Sequence, residues 1–306
     1  MSDSSSPSKP TEPSPRRNFL RLTGGAMLAP AGSAALLASC GGDGAQPAPA
    51  GPGESPDAPL EIAGDIPVSI REGTNLAAAV SPDGKMIAMD LQGLLWVMPI
   101  SGGTPRLLTG YFDDVGRPSW SPDSKTIAFQ SYRTGNFHIW LINVDGTGLR
   151  QVTEGPYDHR EPAFSPNGTQ IAFSSDRNGT KYAIYTMQLA NGQIHAVANS
   201  ANEDGEPAWS PDGNRIAFSS GNRILVASAD GSGSPEPVAE GSGIGAPSWT
   251  PDGRGLVYRQ STRLFRSGTQ VSPDSEDVFP FPVSWISGDE FVYTADGAIK
   301  RGSARG

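Results

Sequence analysis

The sequence predicts an all-β fold, a six-bladed β-propeller, on three observations. A turn motif of the type Ser-Pro-Asp-Gly recurs beyond residue 60 at intervals of 40, 44, 45 and 40 residues. The same order of short strand-like segments surrounds each copy, and helical periodicity is absent from this region. The last repeat lacks one strand, and a spare strand lies before the first repeat. Four short strands per unit at this period are typical of a propeller blade.

The repeated turn joins the first strand of each blade to the second. Its Pro presets φ, its Asp or Asn hydrogen-bonds local backbone, and its Gly accepts a positive φ. The five copies are Ser81–Gly84, Ser121–Ser124, Ser165–Gly168, Ser210–Gly213 and Thr250–Gly253. Trp285–Asp289 is a degenerate sixth copy. Ser272–Ser275 looks like a seventh but lacks the preceding aromatic, so we interpret it as the exit loop of the fifth blade.

An aromatic residue ends most of the short first strands. We predict these strands at Pro118–Trp120, Pro162–Phe164, Pro207–Trp209 and Pro247–Trp249. Second strands follow the turns, with the pattern Ile-Ala-Phe in three blades and the variants Leu256–Tyr258 and Phe291–Tyr293 in two others. The first-strand aromatics, including Trp285, are interpreted as packing between blades rather than as a ligand cage.

The two ends of the repeat region complement each other. The sixth repeat supplies three strands, up to about Arg301, before the chain ends. Val68–Gly73 resembles the fourth-strand segment Arg150–Gly155. We therefore expect this N-terminal strand to complete the sixth blade and close the ring, which removes two free sheet edges.

Charge and cysteine content exclude several classes of protein. The chain has 306 residues and a net charge of −9. Beyond residue 39 it carries 19 basic and 30 acidic side chains, a net −11. Such a surface repels phosphate backbones, so we expect no nucleic-acid partner. Cys40 is the sole cysteine, which excludes an internal disulfide.

Residues 1–39 read as an export signal rather than as part of the fold. Arg16 and Arg17, followed by Phe19 and Leu20, resemble a twin-arginine signal. The next segment, residues 22–38, is too short and too weakly apolar for a transmembrane helix, which needs about 20 apolar residues. We expect export to the periplasm or the cell exterior.

Residues 37–40 (Leu-Ala-Ser-Cys) resemble a bacterial lipobox, in which Cys40 becomes the lipidated first residue of the mature protein. Membrane attachment would then be through lipid only. Gly, Pro and Ala dominate the following stretch and have little to bury, so residues 40–60 are predicted to be a lipidated tether. The division is thus signal peptide 1–39, tether 40–60 and propeller 61–306.

The combination of Ser-Pro-Asp-Gly, Ile-Ala-Phe and Leu108-Thr109-Gly110 resembles the TolB-type propeller, a WD-like repeat family, over residues 62–306. The resemblance implies protein binding in the cell envelope. TolB itself has an α/β domain before its propeller, whereas only the tether precedes the repeats here. Similar propellers precede amidohydrolase domains or the hydrolase domain of prolyl-oligopeptidase-like peptidases, but no hydrolase domain follows in this sequence.

Charged residues cluster just before the predicted first strands, in loops expected at one end of the channel. We interpret them as a candidate partner-binding rim. A solvated rim with loop-closing hydrogen bonds is the plainer reading, and an acidic funnel for a cation or basic peptide is the sharper one. The residues are Asp113, Asp114, Arg117, Asp158, His159, Arg160, Glu161, Glu203, Asp204 and Glu206.

Catalytic motifs are missing from the sequence. The histidines His138, His159 and His195 do not form a spaced metal cluster, and no Gly-x-Ser-x-Gly elbow is present. We therefore predict no catalytic residue, no metal and no cofactor.

The predicted function is that of a monomeric, non-catalytic envelope lipoprotein whose propeller binds a protein or peptide partner. One alternative is a substrate-gating module, or its remnant, of an amidohydrolase or prolyl-oligopeptidase-like enzyme. A second alternative is carbohydrate or metal binding in the channel.

Overall fold

The computed structural model describes Gly73 and residues 76–110, 113–179 and 181–305, all within the second of two compact units of the chain, Ser55–Gly306. Arg16, Arg17, Phe19, Leu20 and Cys40 lie outside the described residues. The described chain forms 23 strands in six antiparallel sheets. It contains no helix long and apolar enough to cross a membrane.

The first three sheets have four strands each, paired in chain order. Their strands are β1 Ala77–Val80, β2 Met86–Leu91, β3 Leu94–Pro99, β4 Arg106–Leu107, β5 Val115–Trp120, β6 Thr126–Ser131, β7 His138–Asn143, β8 Arg150–Gln151, β9 His159–Phe164, β10 Gln170–Ser175, β11 Ala183–Gln188 and β12 Ile194–Ala198.

The fourth and fifth sheets also have four strands, and the sixth has three in the described part of the chain. Their strands are β13 Asp204–Trp209, β14 Arg215–Ser220, β15 Arg223–Ser228, β16 Glu236–Glu240, β17 Ile244–Trp249, β18 Leu256–Gln260, β19 Arg263–Arg266, β20 Thr269–Gln270, β21 Ser284–Trp285, β22 Glu290–Ala295 and β23 Ala298–Ser303. The predicted six-bladed, all-β propeller is confirmed.

Each Ser-Pro-Asp-Gly turn is held by its own side chains. In the fourth blade, Ser210 Oγ donates to Asp212 Oδ1 at 2.5 Å, and the Asn214 amide donates to the same oxygen at 3.1 Å. The Gly213 amide donates to the Ser210 carbonyl at 2.9 Å, with a Gly213 φ of 73°. Corresponding bonds form in the other four copies, which explains why the motif recurs.

Tryptophan indoles join neighbouring blades, which confirms the packing interpretation of these aromatics. Each indole Nε1–H donates to the innermost strand of the preceding blade. The bonds are Trp120 to the Ala79 carbonyl (2.9 Å), Trp209 to the Ala163 carbonyl (3.1 Å), Trp249 to the Ala208 carbonyl (3.1 Å) and Trp285 to Ser248 Oγ (3.0 Å). The core lies between the sheets, where Phe129, Phe173, Phe218 and Phe291 are fully buried.

The ends of the ring meet at the sixth sheet. The Gly73 amide donates to the Gly297 carbonyl, in the β22–β23 turn, at 2.9 Å. The rest of the predicted closing strand, residues 68–72, lies outside the described residues, so that strand stays a prediction. Ser272 follows β20 and its Oγ accepts the Leu264 amide at 3.0 Å. The fifth-blade exit loop is therefore confirmed.

Candidate binding site in the central channel

The innermost strands are longer than the sequence predicted, because they continue through their prolines. Arg117, Glu161, Glu206 and Ala246 each precede such a proline and have φ of 56°, 59°, 56° and 52°. The strand register shifts at these four positions. A β-bulge leaves the proline, which has no amide hydrogen, out of the pairing ladder. Arg117, Glu161 and Glu206 are therefore strand residues, not loop residues as predicted.

Side-chain oxygens accept hydrogen bonds from the backbone amides of these bulges. The backbone amide of each bulge residue donates to a side chain of the preceding blade. The bonds are Arg117 N to Asp90 Oδ2 (2.9 Å), Glu161 N to Gln130 Oε1 (2.8 Å), Glu206 N to Glu161 Oε2 (2.6 Å) and Ala246 N to Glu206 Oε2 (2.6 Å). Because each carboxylate is fixed by a backbone amide, its second oxygen is held in a set direction.

Arg117 crosses the channel. Its Nη2 lies 3.2 Å from Glu206 Oε1 and 3.7 Å from Glu161 Oε1. Its guanidinium carbon lies 4.6 Å from the centroid of the Phe281 ring, on the loop that leads into the sixth blade. The three charged side chains are only 15–20% exposed. The second, third and fourth blades and the loop before the sixth blade thus meet through one guanidinium.

Second-strand residues contribute further charge beside the bulges. Asp90 is buried, and burial raises its pKa to about 7, although the amides of Ala77 and Arg117 donate to its oxygens and oppose the shift. Burial lowers the pKa of Arg259, which the charge of Glu206 partly offsets. Apart from Asp90, the guanidinium groups of Arg117 and Arg259 balance the carboxylates of Glu161 and Glu206. This balance argues against the acidic funnel.

A cavity of about 260 Å³ lies in the channel beyond Arg117, towards the Ser-Pro-Asp-Gly turns, and reaches Pro82 in the first turn. Its wall includes one proline from each of four neighbouring blades, Pro118, Pro162, Pro207 and Pro247. On the first blade the wall is Ala77–Val80, whose small side chains leave the room that a tryptophan would fill. The result is an apolar pocket with a charged end formed by Arg117, Glu161 and Glu206.

Several predicted rim residues hold loops instead of lining the channel. Asp113 is buried and its Oδ2 accepts the Gly110 amide at 2.9 Å. Asp158 accepts from the Phe137 amide, the Arg160 guanidinium and the Tyr182 hydroxyl at 3.0, 2.6 and 2.9 Å.

The remaining acids of the predicted rim divide between buried and exposed positions. Asp204 is buried and bonds to Ser200 N at 2.7 Å and Ser200 Oγ at 2.5 Å. Glu203 accepts the Tyr182 amide at 2.7 Å, and Asp114 is exposed. Loop-closing hydrogen bonds therefore account for most of these acids.

His159 is fully buried rather than on the rim. Its ring stacks on His138, with centroids 5.4 Å apart, and lies against Phe173. Burial, and then the charges of His138 and Arg177, lowers its pKa to about 4. Arg160 lies over the rings of Phe137 and Tyr182. Within the described residues, no three His, Cys, Asp or Glu side chains gather as metal ligands.

Sequence reasoning missed Asp90, Gln130 and Arg259. Each follows the buried Ile-Ala-Phe-like segment of its second strand and stands opposite the residue before the bulge, or opposite Ala77 in the first blade. A polar residue directly after each buried segment was the available signal. Ser174 and Ser219 occupy the same position in the third and fourth blades.

Five four-stranded sheets and one three-stranded sheet in the described residues, arranged around a channel with a pocket, define a β-propeller. The sequence matches the family model of the TolB beta propeller domain over residues 93–277. The chain therefore belongs to the TolB β-propeller family.

Solved structures show the same fold. A proposed TolB of Agrobacterium tumefaciens has a TM-score of 0.60 and 23% identity, with 74% of this chain and 89% of that chain covered. TolB from Acinetobacter baumannii has a TM-score of 0.55 and 23% identity. That match covers 66% of this chain and about half of the other chain, 54%. No curated protein sequence is significantly similar to this chain.

Proposed function

We propose that this chain is a non-catalytic lipoprotein of the cell envelope whose propeller binds a segment of a protein partner at the channel pocket. The observation that carries the proposal is the preformed pocket of about 260 Å³ between the prolines and Arg117. Ligand pockets for whole small molecules are usually larger, about 300–1,000 Å³. A pocket of this size suits one or two side chains of a docked polypeptide.

The chemistry of the pocket indicates what the partner presents. Proline and alanine walls favour an apolar side chain, since burying it removes apolar surface from water. At the end of the pocket, Arg117 can donate to a backbone carbonyl, and Glu161 or Glu206 can accept a backbone amide. Because the pocket reaches Pro82 in the first turn, the partner in this proposal approaches from the side of the Ser-Pro-Asp-Gly turns.

The envelope location rests on the N-terminal sequence and on the family resemblance. In this proposal, residues 1–39 direct export by the twin-arginine pathway and Cys40 carries the lipid. Residues 40–60 then tether the propeller, residues 61–306, as a monomer to the membrane. A Cys40→Ala variant is expected to lose labelling by radioactive palmitate and to move from the membrane to the soluble fraction. Persistent membrane attachment of that variant would contradict the lipoprotein assignment.

The binding role is tested by filling the pocket. Ala163 is half-buried and lines the pocket, whereas Ala190 is exposed in a turn of the same blade and on the same side of the propeller. We expect Ala163→Leu to abolish co-purification of the partner from detergent-solubilised envelopes and Ala190→Leu to preserve it. Equal capture by both variants would contradict binding at the channel. A hydrolase as the captured protein would favour the substrate-gating alternative.

A further inference from the structure

The boundary between the second and third blades differs from the four boundaries that contain a tryptophan. Four blades place a tryptophan at the end of the first strand, and its indole fills the space against the preceding blade. The third blade has Phe164 at this position. A phenyl ring is smaller than an indole and has no N–H to donate. This boundary therefore has less aromatic side-chain volume than the four that contain a tryptophan, and at the boundary before the first blade Val80 stands at this position.

The opposite wall is also small at this boundary. In the fourth blade, Arg215 begins the second strand and lies over the Trp249 ring, 4.4 Å from its centroid. In the first blade, Met86 has the same position and packs in the cluster of Trp120. The second blade has Thr126 there. The small side chain of Thr126 thus faces Phe164, which is smaller than the tryptophan of four other blades.

An open cleft of about 310 Å³ results at this place. Leu141, Phe164 and Leu189 provide its apolar walls. Arg150 and Asp123 stand at its mouth. Asp123 Oδ1 is occupied, because it accepts from Ser121 Oγ at 2.6 Å and from the Lys125 amide at 3.1 Å. The Arg150 guanidinium is exposed and has no hydrogen bond or ion pair within the described part of the chain.

We propose that this cleft binds a small molecule that combines a flat aromatic ring with a carboxylate. The ring would lie against Phe164 and the two leucines, in the space that an indole fills at four other boundaries. The carboxylate would pair with the free guanidinium of Arg150, which matches carboxylates in a bidentate geometry. The site is separate from the channel pocket and does not depend on the proposed function.

Indole-3-acetate is a suitable probe, because it has the ring that the four other boundaries contain and one carboxylate. A ligand of this size is expected to bind with a Kd of about 1 mM or tighter. Binding is measured by isothermal titration and by saturation-transfer NMR on the full chain. We expect Phe164→Trp to weaken binding at least about ten-fold, because the new indole fills the cleft.

A second variant tests the same cleft if Phe164→Trp fails to fold. Thr126→Met copies the residue of the first blade and fills the cleft from the other wall, so it is also expected to remove binding. Arg150→Gln is expected to weaken indole-3-acetate about ten-fold and to leave the affinity for uncharged indole unchanged. Ala163→Leu, which alters only the channel pocket, is expected to bind the probe normally.

The outcomes separate the alternatives. Equal binding of the probe by the parent and by Thr126→Met would overturn the site. Equal affinity for indole and indole-3-acetate would overturn the role of Arg150. Binding of the peptide N-acetyl-Glu-Trp-amide, but not of indole-3-acetate, would overturn the small-molecule form of the proposal and indicate a polypeptide ligand. Loss of partner capture at the channel would leave these results unaffected.

Discussion

Asp90 makes the stability of the propeller depend on pH. Burial raises its pKa to about 7 from the ordinary value of 3.8, so the folded chain holds this proton more tightly than the unfolded chain does. The contribution of Asp90 to stability is therefore greatest below about pH 4 and is lost as the pH rises from about 4 to 7. A shift of this size corresponds to at most about 4 kcal/mol of unfolding free energy.

Asp90→Asn removes the titration. Asparagine keeps one acceptor oxygen, so one of the two amide bonds from Ala77 and Arg117 is lost, at about 1 kcal/mol. We expect the variant to be about 1 kcal/mol less stable than the parent at pH 4 and about 2–3 kcal/mol more stable at pH 9. The order of the two proteins thus reverses between about pH 4 and pH 6, where the loss of the Asp90 contribution exceeds about 1 kcal/mol.

Urea denaturation at pH 4, 6, 7.5 and 9 and constant ionic strength measures this reversal. Asp114→Asn is the matched control, since it removes a carboxylate that is exposed. The control is expected to keep the pH dependence of the parent. Parallel stability curves for the parent and Asp90→Asn would refute the reasoning, because they would mean that Asp90 does not titrate between these pH values.

Three further predictions concern stability. Trp249→Ala is expected to cost about 3–5 kcal/mol of unfolding free energy, because it empties a blade boundary, and an unchanged urea midpoint would contradict the blade packing. Glu206→Ala leaves the Ala246 amide without its acceptor and Arg117 with Glu161 alone, and it is expected to cost about 2–4 kcal/mol in the same assay. His159 has a lowered folded pKa of about 4, so the stability it contributes above pH 6.5 is lost as the pH falls towards 4. The parent is expected to lose up to about 3 kcal/mol of unfolding free energy between pH 7 and pH 4.5 through His159, and His159→Phe is expected to remove this loss. Urea denaturation at the two pH values measures the difference.

The fold was predictable because its determinants are local and repeated. The turn residues of Ser210–Gly213 and Arg215 satisfy one another within five positions. The Ile-Ala-Phe segments are buried at all three residues, as a strand packed on both faces requires. The first strands were predicted too short, because a proline usually ends a ladder. The bulge at Arg117 and its equivalents is stabilised by acceptors such as Asp90, about thirty residues earlier, which no local pattern records.

The candidate site was predictable only in part, for the same physical reason. Arg117, Glu161 and Glu206 were chosen for charge near the channel, and the structure brings these three together. Asp158 is also a charged residue next to a predicted first strand, like Arg117, Glu161 and Glu206. Its hydrogen bonds to Phe137 and Tyr182, however, stabilise the neighbouring loops. Charge reversal of Asp158 is therefore expected to lower the melting temperature as well as any binding, contrary to the effect expected of a free rim residue.

Site-specific photo-crosslinking in intact cells tests the central claim most directly. Pro82 is exposed at the mouth of the channel pocket, whereas Asp114 is exposed at the far end of the second blade's first strand. A benzophenone amino acid at position 82 is expected to form a crosslink to one partner, and this crosslink is expected to disappear when Ala163→Leu is added. A crosslink from position 114 only, or one from position 82 that survives Ala163→Leu, would contradict partner binding in the channel pocket.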